Sequence, residues 1–146
     1  VRMVEVTDKP TTDRHAVAEG LVRISPLTLN KITGREIKKG NVLETARIAG
    51  VMAAKNTASL IPMCHPLCLT YAAVDFFPDE SSSSLRIVAE VRVKGETGVE
   101  MEAMTAVSVA ALTIYDMCKS HDRTMSFHDI RLVEKSGGRS GHFKRD

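Results

Sequence analysis

An acid and a lysine lie close together near the end of the longest helical segment, which runs from Gly98 to Lys119. Asp116 and Lys119 are three residues apart, so their side chains occupy adjacent positions on one side of a helix. One interpretation is a surface ion pair worth a few tenths of a kcal/mol. The other is an acid/base pair, since a lysine in a partly desolvated pocket loses its proton more easily. On the spacing alone, the surface ion pair is the favoured interpretation.

A histidine lies between two prolines in the segment Ile61–Leu67 (IPMCHPL). Prolines restrict the backbone, so this loop would hold His65 rigidly for proton transfer or for substrate binding. Cys64, His65 and Cys68 also suggest a zinc site. Only Cys118 offers a further thiolate, and the sequence has no Cys-x-x-Cys pair, so zinc is not favoured. A buried structural turn with cysteines as small apolar residues is the remaining interpretation.

Two glutamates lie at the start of the long helix. Acids in a first turn interact favourably with the helix dipole, which accounts for Glu102, on the same polar side as Thr105 and Asp116. Glu100 instead projects in the direction of Val107, on the apolar side, where a carboxylate is costly unless it is paired. Glu100 is therefore a candidate ligand-binding carboxylate.

The segment Lys135–His142 (KSGGRSGH) combines consecutive glycines with basic side chains. Glycines can turn backbone amides toward an anion, and lysine and arginine can close over it. The segment lacks the strand and helix that flank a Walker phosphate loop. A solvated tail is the alternative that composition favours. Lys39, just before a predicted helix, is likewise either a solvated lysine or a site residue.

Alternating short elements would position these side chains. Strands are predicted at 15–24, 69–77, 85–94 and 126–134, and helices from Pro26 to about Gly34, at 42–58 and at 98–119. An irregular arm precedes the first strand, a polar hairpin loop spans 78–84, and residues 135–146 form a Gly-rich basic C-terminal tail. Strands in hairpin pairs with helices on one face predict an α+β fold.

Composition indicates one ordinary soluble domain, residues 1–146, with 43% apolar and 26% charged residues. The formal charge of +2 gives no reason to expect nucleic acid or a membrane as a partner. No apolar run approaches the ~20 residues that span a bilayer. Three cysteines, an odd number, favour free thiols in a reducing cytoplasm.

A non-enzymatic interpretation is a small α+β oligomer that binds nucleotides or RNA without catalysis. The sequence has no Trp and few aromatic residues that could form a stacking platform for bases. That interpretation also leaves Glu100, Asp116 and the loop around His65 unexplained. A zinc-binding structural module is a third interpretation and would require stoichiometric metal.

Seven segments, in order along the chain, resemble one family. They are KKGNVL (38–43), ARIAG (46–50), AAKNT (53–57), LIPMCHPL (60–67), ETGVEMEA (96–103), YDMCK (115–119) and KSGGRSG (135–141). Over essentially its whole length the chain resembles the cyclic pyranopterin monophosphate synthases, the C proteins (MoaC) of molybdenum cofactor biosynthesis. Members of that family convert a 3′,8-cyclised 7,8-dihydro-GTP intermediate to cyclic pyranopterin monophosphate and release pyrophosphate. The resemblance therefore implies a lyase.

The resemblance also implies roles for particular residues. Asp116 would be the catalytic acid/base, and Lys119 and Lys39 would share the proton transfers. The substrate site would be lined by Met63, Cys64, His65, Met101 and Glu102, with Glu100 beside them, and Arg14 and Lys135 would contact the triphosphate or the purine-derived part of the substrate.

The architecture implied by the resemblance is a ferredoxin-like antiparallel sheet with helices packed on one face. It also implies a homohexamer, built as a trimer of dimers with pockets at subunit interfaces. We expect a small-molecule substrate, no nucleic acid, no membrane and no metal site. No cofactor is assigned, and a divalent cation such as Mg²⁺ accompanying the triphosphate stays open.

Overall fold

Five antiparallel strands with helices packed on one face form the fold, in a computed structural model that describes all 146 residues. The elements in chain order are β1 (Thr12–Arg23), α1 (Pro26–Thr33), α2 (Val42–Lys55), α3 (Thr57–Leu60), β2 (Tyr71–Asp79), β3 (Ser84–Gly95), α4 (Glu100–Cys118), β4 (Ser126–Ser136) and β5 (Phe143–Lys144). The strand order in the sheet is β2-β3-β1-β4-β5. The predicted ferredoxin-like α+β fold is confirmed.

The central strand β1 shows why the sheet has one buried face. It pairs with β3 along its whole length and with β4 on its other side. Ala16, Ala18 and Val22 alternate along β1 and are fully buried beneath the helices, whereas Glu19 and Arg23 point to the opposite face. The period of two in the sequence therefore determines which face receives the helices.

The long helix α4 lies against the sheet and forms the centre of the core. Ala103, Val107 and Ile114 on α4 are fully buried. Helix α2 packs beside α4 at close range, because a Cβ atom at Gly50 would lie 3.0 Å from the backbone oxygen of Ala106. Small residues at this contact let the two helix backbones approach closely.

Two predicted boundaries differ from the structure. The helix predicted at 42–58 is divided, because Asn56 leaves the helical conformation and its N–H binds the oxygen of Ala53 instead of continuing α2. The predicted tail starts inside β4, which extends to Ser136. Beyond it the chain reverses through Gly137 and Gly138, both at positive φ, and returns as β5 beside β4.

Helix α4 is long and apolar enough to span a bilayer by length and composition, with 19 residues and a mean hydropathy of 1.2. α4 is not a continuous apolar run, because Glu100, Glu102 and Asp116 lie within it. Of the residues in that window, 56% are buried inside the fold. A core helix of this kind satisfies the same criteria as a membrane span, and α4 is packed against both the sheet and α2.

Candidate active site

A cavity of about 300 Å³ lies at the start of α4. It is bounded by α4, by the loop around His65 and by the N-terminal arm. Six of the side chains predicted to bind substrate line this one cavity: Met63, Cys64, His65, Glu100, Met101 and Glu102. Residues from two distant parts of the sequence are thereby brought together, and we call this cavity the pocket.

His65 is oriented by the N-terminal arm. Its Nε2 lies 2.6 Å from the backbone oxygen of Val4. A carbonyl oxygen only accepts, so Nε2 donates the hydrogen of this bond. Val4, Val6 and Lys9 of the arm line the pocket as well. Sequence reasoning did not place these three residues at the site, because the arm has no periodicity that predicts where it packs.

Glu100 forms an ion pair with Lys135. A carboxylate on the apolar side of a helix is destabilising without such a partner. The Lys135 ammonium group on β4 donates a hydrogen bond to Oε1 of Glu100. Burial by itself would raise the pKa of Glu100, but the hydrogen bond and charge of Lys135 and the charge of Arg14 outweigh it. The pKa of Glu100 is therefore lowered, and the carboxylate is ionised at neutral pH.

Arg14 is 7% exposed and binds backbone beside the pocket. Its guanidinium group donates to the backbone oxygens of Gly95 (3.3 Å) and Glu96 (3.1 Å). Those residues lead from β3 into α4, so Arg14 fixes the loop that carries Thr97 and Gly98 to the pocket wall. The glycine at position 138 is in contact with the same guanidinium group, since a Cβ atom there would collide with it.

Glu102 is 4% exposed, although the helical pattern placed it on the polar side with Thr105, which is buried too. Glu102 lies in the first turn of α4 as expected, but the side of the helix that the pattern predicted to be polar is buried there, close to Cys64 in the pocket wall. Burial raises the pKa of Glu102, and the negative charge of Glu100 raises it further. Burial, together with the charge of Glu102, also raises the pKa of the Cys64 thiol.

A second cluster lies at the other end of α4, and we call it the acid–lysine cluster: Lys39, Asp116 and Lys119. The Lys119 ammonium nitrogen lies 2.9 Å from Oδ1 of Asp116. The Lys39 ammonium group donates to Oδ2 at 3.2 Å and to the backbone oxygen of Asp116 at 2.9 Å. Hydrogen bonds from Lys119 and Lys39, with their charges, lower the pKa of Asp116. Its side chain is 59% exposed, so the carboxylate is open to a ligand.

Lys39 reaches Asp116 because of a tight turn before α2. The N–H of Gly40 binds the oxygen of Ile37 at 3.0 Å, and Gly40 adopts a φ of 122°, which favours glycine. Asn41 then caps α2 by accepting from the N–H of Glu44 at 3.1 Å. The turn and the cap together direct Lys39 at the end of α4.

The pocket and the acid–lysine cluster are far apart within one chain. At a rise of about 1.5 Å per residue, the 16 residues from Glu100 to Asp116 correspond to about 24 Å along α4. A reacting group cannot be within hydrogen-bonding reach of both clusters at this distance. The structure therefore gathers the predicted site residues into two groups rather than one.

No group of three or more His, Cys, Asp and Glu side chains is arranged to hold a metal ion. Cys118, which a zinc site would need beside Cys64, is fully buried at the far end of α4. Burial and the charge of Asp122 raise the pKa of its thiol to about 11. A thiol of that pKa stays protonated at neutral pH and acts as a small core residue.

The sequence profile described as the MoaC family matches residues 3–138. A relative from Desulfatibacillum aliphaticivorans named cyclic pyranopterin monophosphate synthase is 63% identical over 143 residues, which are 98% of this chain and 90% of the relative. Relatives of the same name from Desulforapulum autotrophicum and a Roseiflexus species are 62% and 60% identical, over 100% and 99% of this chain and 90% and 92% of their own lengths. Similarity at this level extends through both clusters.

Proposed function

This chain belongs to the MoaC family, and we propose on that basis that it is a cyclic pyranopterin monophosphate synthase. It converts the 3′,8-cyclised 7,8-dihydro-GTP intermediate to cyclic pyranopterin monophosphate and releases pyrophosphate. It is an enzyme of molybdenum cofactor biosynthesis and acts as a phosphorus–oxygen lyase. The observation that carries the proposal is a single accessible carboxylate, Asp116, bound by two ammonium groups about 3 Å away.

The acid–lysine cluster suits the proton transfers of this reaction. Because the pKa of Asp116 is lowered, its carboxylate is ionised at neutral pH and can take a proton. Closure of the cyclic phosphate forms a bond from a hydroxyl oxygen to the α-phosphorus and breaks the bond from that phosphorus to the departing pyrophosphate oxygen. The hydroxyl proton passes to a base such as Asp116, and the ammonium groups of Lys39 and Lys119 offset charge on the departing pyrophosphate.

The pocket suits the cyclised nucleotide. Its apolar lining, including Met63 and Met101, can contact the ring system. Lys9 and Lys135 supply positive charge close to the pocket for phosphate oxygens. His65 is held by the arm and lines the pocket. Cys64 stays a thiol at neutral pH, since its pKa is raised.

The enzyme is, in this proposal, a homo-oligomer whose active sites are each shared by two copies. A separation of about 24 Å between Glu100 and Asp116 leaves each chain with two half-sites. A copy that turns its acid–lysine cluster toward a neighbour's pocket completes the site. A hexamer built as a trimer of dimers satisfies this requirement in every copy.

The outer face of the helix layer supports this arrangement. Met101, Ser108 and Leu112 project from α4 in nearly the same direction, since 11 residues at about 100° each return to within roughly 20°. Leu112 is exposed, and so are Ile48 and Met52 on the neighbouring helix α2. Two copies of α4 packed antiparallel about Ser108 would bring the start of each helix to the end of the other.

Further partners and the compartment follow from the same chemistry. The substrate is a small molecule, and the proposal includes neither nucleic acid nor a membrane. The compartment is the cytoplasm, which suits three free cysteines. No resident cofactor is included, and a divalent cation such as Mg²⁺ would arrive with the triphosphate rather than occupy a site built by this chain.

Incubation with the cyclised dihydro-GTP intermediate tests the proposed function. Pyrophosphate release and mass-spectrometric detection of cyclic pyranopterin monophosphate are measured in parallel. We expect both products from the unsubstituted protein. The Asp116→Asn protein should release neither while binding substrate within about tenfold of normal, because it loses a base and keeps the pocket. Tight substrate binding by the unsubstituted protein with no product would instead favour a nucleotide-binding oligomer without catalysis.

A further inference from the structure

Asp122 is a buried carboxylate near the acid–lysine cluster whose partners are N–H and O–H groups rather than cations. It is 8% exposed and lies in the turn between α4 and β4. Its Oδ2 accepts from the backbone N–H of Ser25 at 2.9 Å. Its Oδ1 accepts from the backbone N–H of Thr124 at 2.9 Å and from the Thr124 hydroxyl at 2.7 Å. One carboxylate therefore joins two backbone segments that are 97 positions apart in the sequence.

The charge of Asp122 is stabilised by these donors. Burial by itself raises the pKa of Asp122, but the hydrogen bonds from Ser25 and Thr124 outweigh burial and lower it. Ser25 is also the N-cap of α1, so the positive end of the α1 dipole lies beside the carboxylate. An asparagine here would place an NH₂ donor against one of these donors, because only one of its two terminal atoms accepts. The contacts therefore call for a carboxylate.

The turn that contains Asp122 also ends α4. The backbone N–H groups of His121 and Asp122 bind the oxygen of Cys118 at 2.8 Å and 3.1 Å. Lys119 is the first residue after α4 and lies inside this turn. From there its ammonium nitrogen lies 2.9 Å from Oδ1 of Asp116. The position of Lys119 therefore depends on a turn that Asp122 binds to the start of α1.

The segment on the other side of Asp122 leads to Lys39. Ser25 begins α1, and the end of α1 is closed by the N–H of Glu36, which binds the oxygen of Lys31 at 2.8 Å. Lys39 follows three residues later. Asp122 and Lys39 both lie close to the buried Cys118 thiol: burial raises the pKa of this thiol, the charge of Asp122 raises it further, and the charge of Lys39 lowers it. Asp122 thus joins the two segments that place lysines on one carboxylate.

We propose that Asp122 is a positioning residue of the acid–lysine cluster: it binds the turn that carries Lys119 to the helix that leads to Lys39, and so holds both ammonium groups on Asp116. The proposal rests on the proposed function, since that function assigns the proton transfers to this cluster. A displacement of about 1 Å at reacting groups can lower a rate about a hundredfold. The pocket lies at the other end of α4, so loss of Asp122 should lower kcat and leave KM nearly unchanged.

Hydrogen exchange of the assembled protein without substrate gives the first test. In Asp122→Ala we expect at least about tenfold faster exchange in residues 116–121 and also in residues 35–41, because both segments lose the carboxylate that joins them. The pocket segments 61–67 and 96–103 should exchange as in the unsubstituted protein. Faster exchange confined to 116–121, with 35–41 unchanged, would overturn the proposal.

The matched control for the exchange experiment is Asp79→Ala. The Asp79 carboxylate also accepts hydrogen bonds in a turn before a strand, from the hydroxyl groups of Ser81 at 2.6 Å and Ser82 at 2.8 Å. That turn joins β2 to β3 and contributes no residue to the pocket or to the acid–lysine cluster. Exchange in 35–41 and 116–121 should therefore stay unchanged in this variant.

Steady-state turnover of the cyclised intermediate gives the second test. We expect kcat of Asp122→Ala to fall at least about tenfold with KM within about threefold. Thr124→Val removes one hydroxyl donor and keeps the backbone bonds, so kcat should fall less. It also serves as the test variant if Asp122→Ala does not fold, and kcat must then still fall by more than KM changes. Val74→Ala, at a buried position of β2, is the control for lost stability and should keep its kcat.

Two kinetic results contradict the proposal. An unchanged kcat in folded Asp122→Ala, or a rise of KM alone, would mean that the cluster does not depend on Asp122. An equal loss of kcat in Val74→Ala would mean that lower stability, rather than the position of the lysines, reduces the rate. Failure of the unsubstituted enzyme to turn over the intermediate would refute the proposed function instead, and hydrogen exchange would still decide whether Asp122 joins the two segments.

Discussion

Mixed assemblies offer the most direct test of an active site shared between copies. The pocket of one chain and its own acid–lysine cluster are about 24 Å apart along α4. Asp116→Asn removes the base from one cluster and leaves the pocket intact. Glu102→Ala damages the pocket and leaves the cluster intact. Asp116→Asn alone is expected to be inactive, and Glu102→Ala alone is expected to turn over little at a substrate concentration near the KM of the unsubstituted enzyme. Co-assembly of the two should restore activity.

The activity expected of the mixed assemblies follows from how often an intact pocket meets an intact acid–lysine cluster. A working site needs a pocket from an Asp116→Asn chain and a cluster from a Glu102→Ala chain. With equal amounts and random assembly each condition is met half the time, so about a quarter of all sites are intact. The expected rate is therefore about a quarter of that of the unsubstituted enzyme, with an unchanged KM.

The assay co-expresses the two chains with different affinity tags, isolates assemblies that carry both tags, and follows pyrophosphate release. The matched control combines Asp116→Asn with Lys119→Ala. Both of these substitutions damage the same cluster, so no combination of halves is intact and no activity should return. Native mass spectrometry verifies that both preparations contain both chains.

Inactive mixed assemblies of the first pair would refute the shared site. The result would mean that pocket and cluster act within one chain, which would require α4 or its surroundings to rearrange by about 20 Å. Equal recovery in the control pair would also contradict the reasoning, because it would show that the assay reports something other than completed sites.

Two further predictions concern the segments around the pocket. Gly138→Ala should weaken substrate binding about tenfold, because its Cβ displaces the Arg14 guanidinium group. Gly141→Ala is the control: Gly141 is also at positive φ, but a Cβ there meets nothing within 4 Å, so substrate binding should not change. Isothermal titration of each protein measures the difference. Lys135→Met should reduce the amount of stability that the protein loses between pH 7 and pH 4. The folded-state pKa of Glu100 is lowered from 4.5, so its stabilising contribution is present above that value and is lost as pH falls below it. The measurement is the urea midpoint of the unsubstituted protein and of Lys135→Met at pH 7 and at pH 4. An equal drop of the midpoint between these pH values in the two proteins would contradict this assignment.

Much of the fold could be predicted because its signals are local. Alternation along β3 and β1 gives the strands and their buried faces, and Ser25 followed by Pro26 marks the start of α1, where the Ser25 hydroxyl accepts from the N–H of Thr28. The division between α2 and α3 at Asn56 has no such signal. Continuation of a helix there depends on a competition between backbone hydrogen bonds that the pattern of apolar residues does not report.

The candidate site residues could be predicted where their segments resemble a family. Contacts between residues far apart in the sequence could not be predicted. His65 and Asp116 were predicted as site residues from their segments, and the structure places His65 in the pocket and Asp116 in the acid–lysine cluster. The burial of Glu102 was missed, because a helical wheel contains no information about the loop that covers it. The partners of Lys135 and Arg14 were missed for the same reason, since each is separated from the residues it binds by at least 35 positions.

The short strand β5 and the other border of the sheet have a consequence for aggregation. Unpaired strand edges can template the addition of further strands from other molecules. On one border β5 spans only Phe143 and Lys144 and offers few free backbone groups. On the other, β2 contains Pro78, and Arg47 from α2 binds the backbone oxygen of Val74. Neither border is therefore a good template for fibril-like growth.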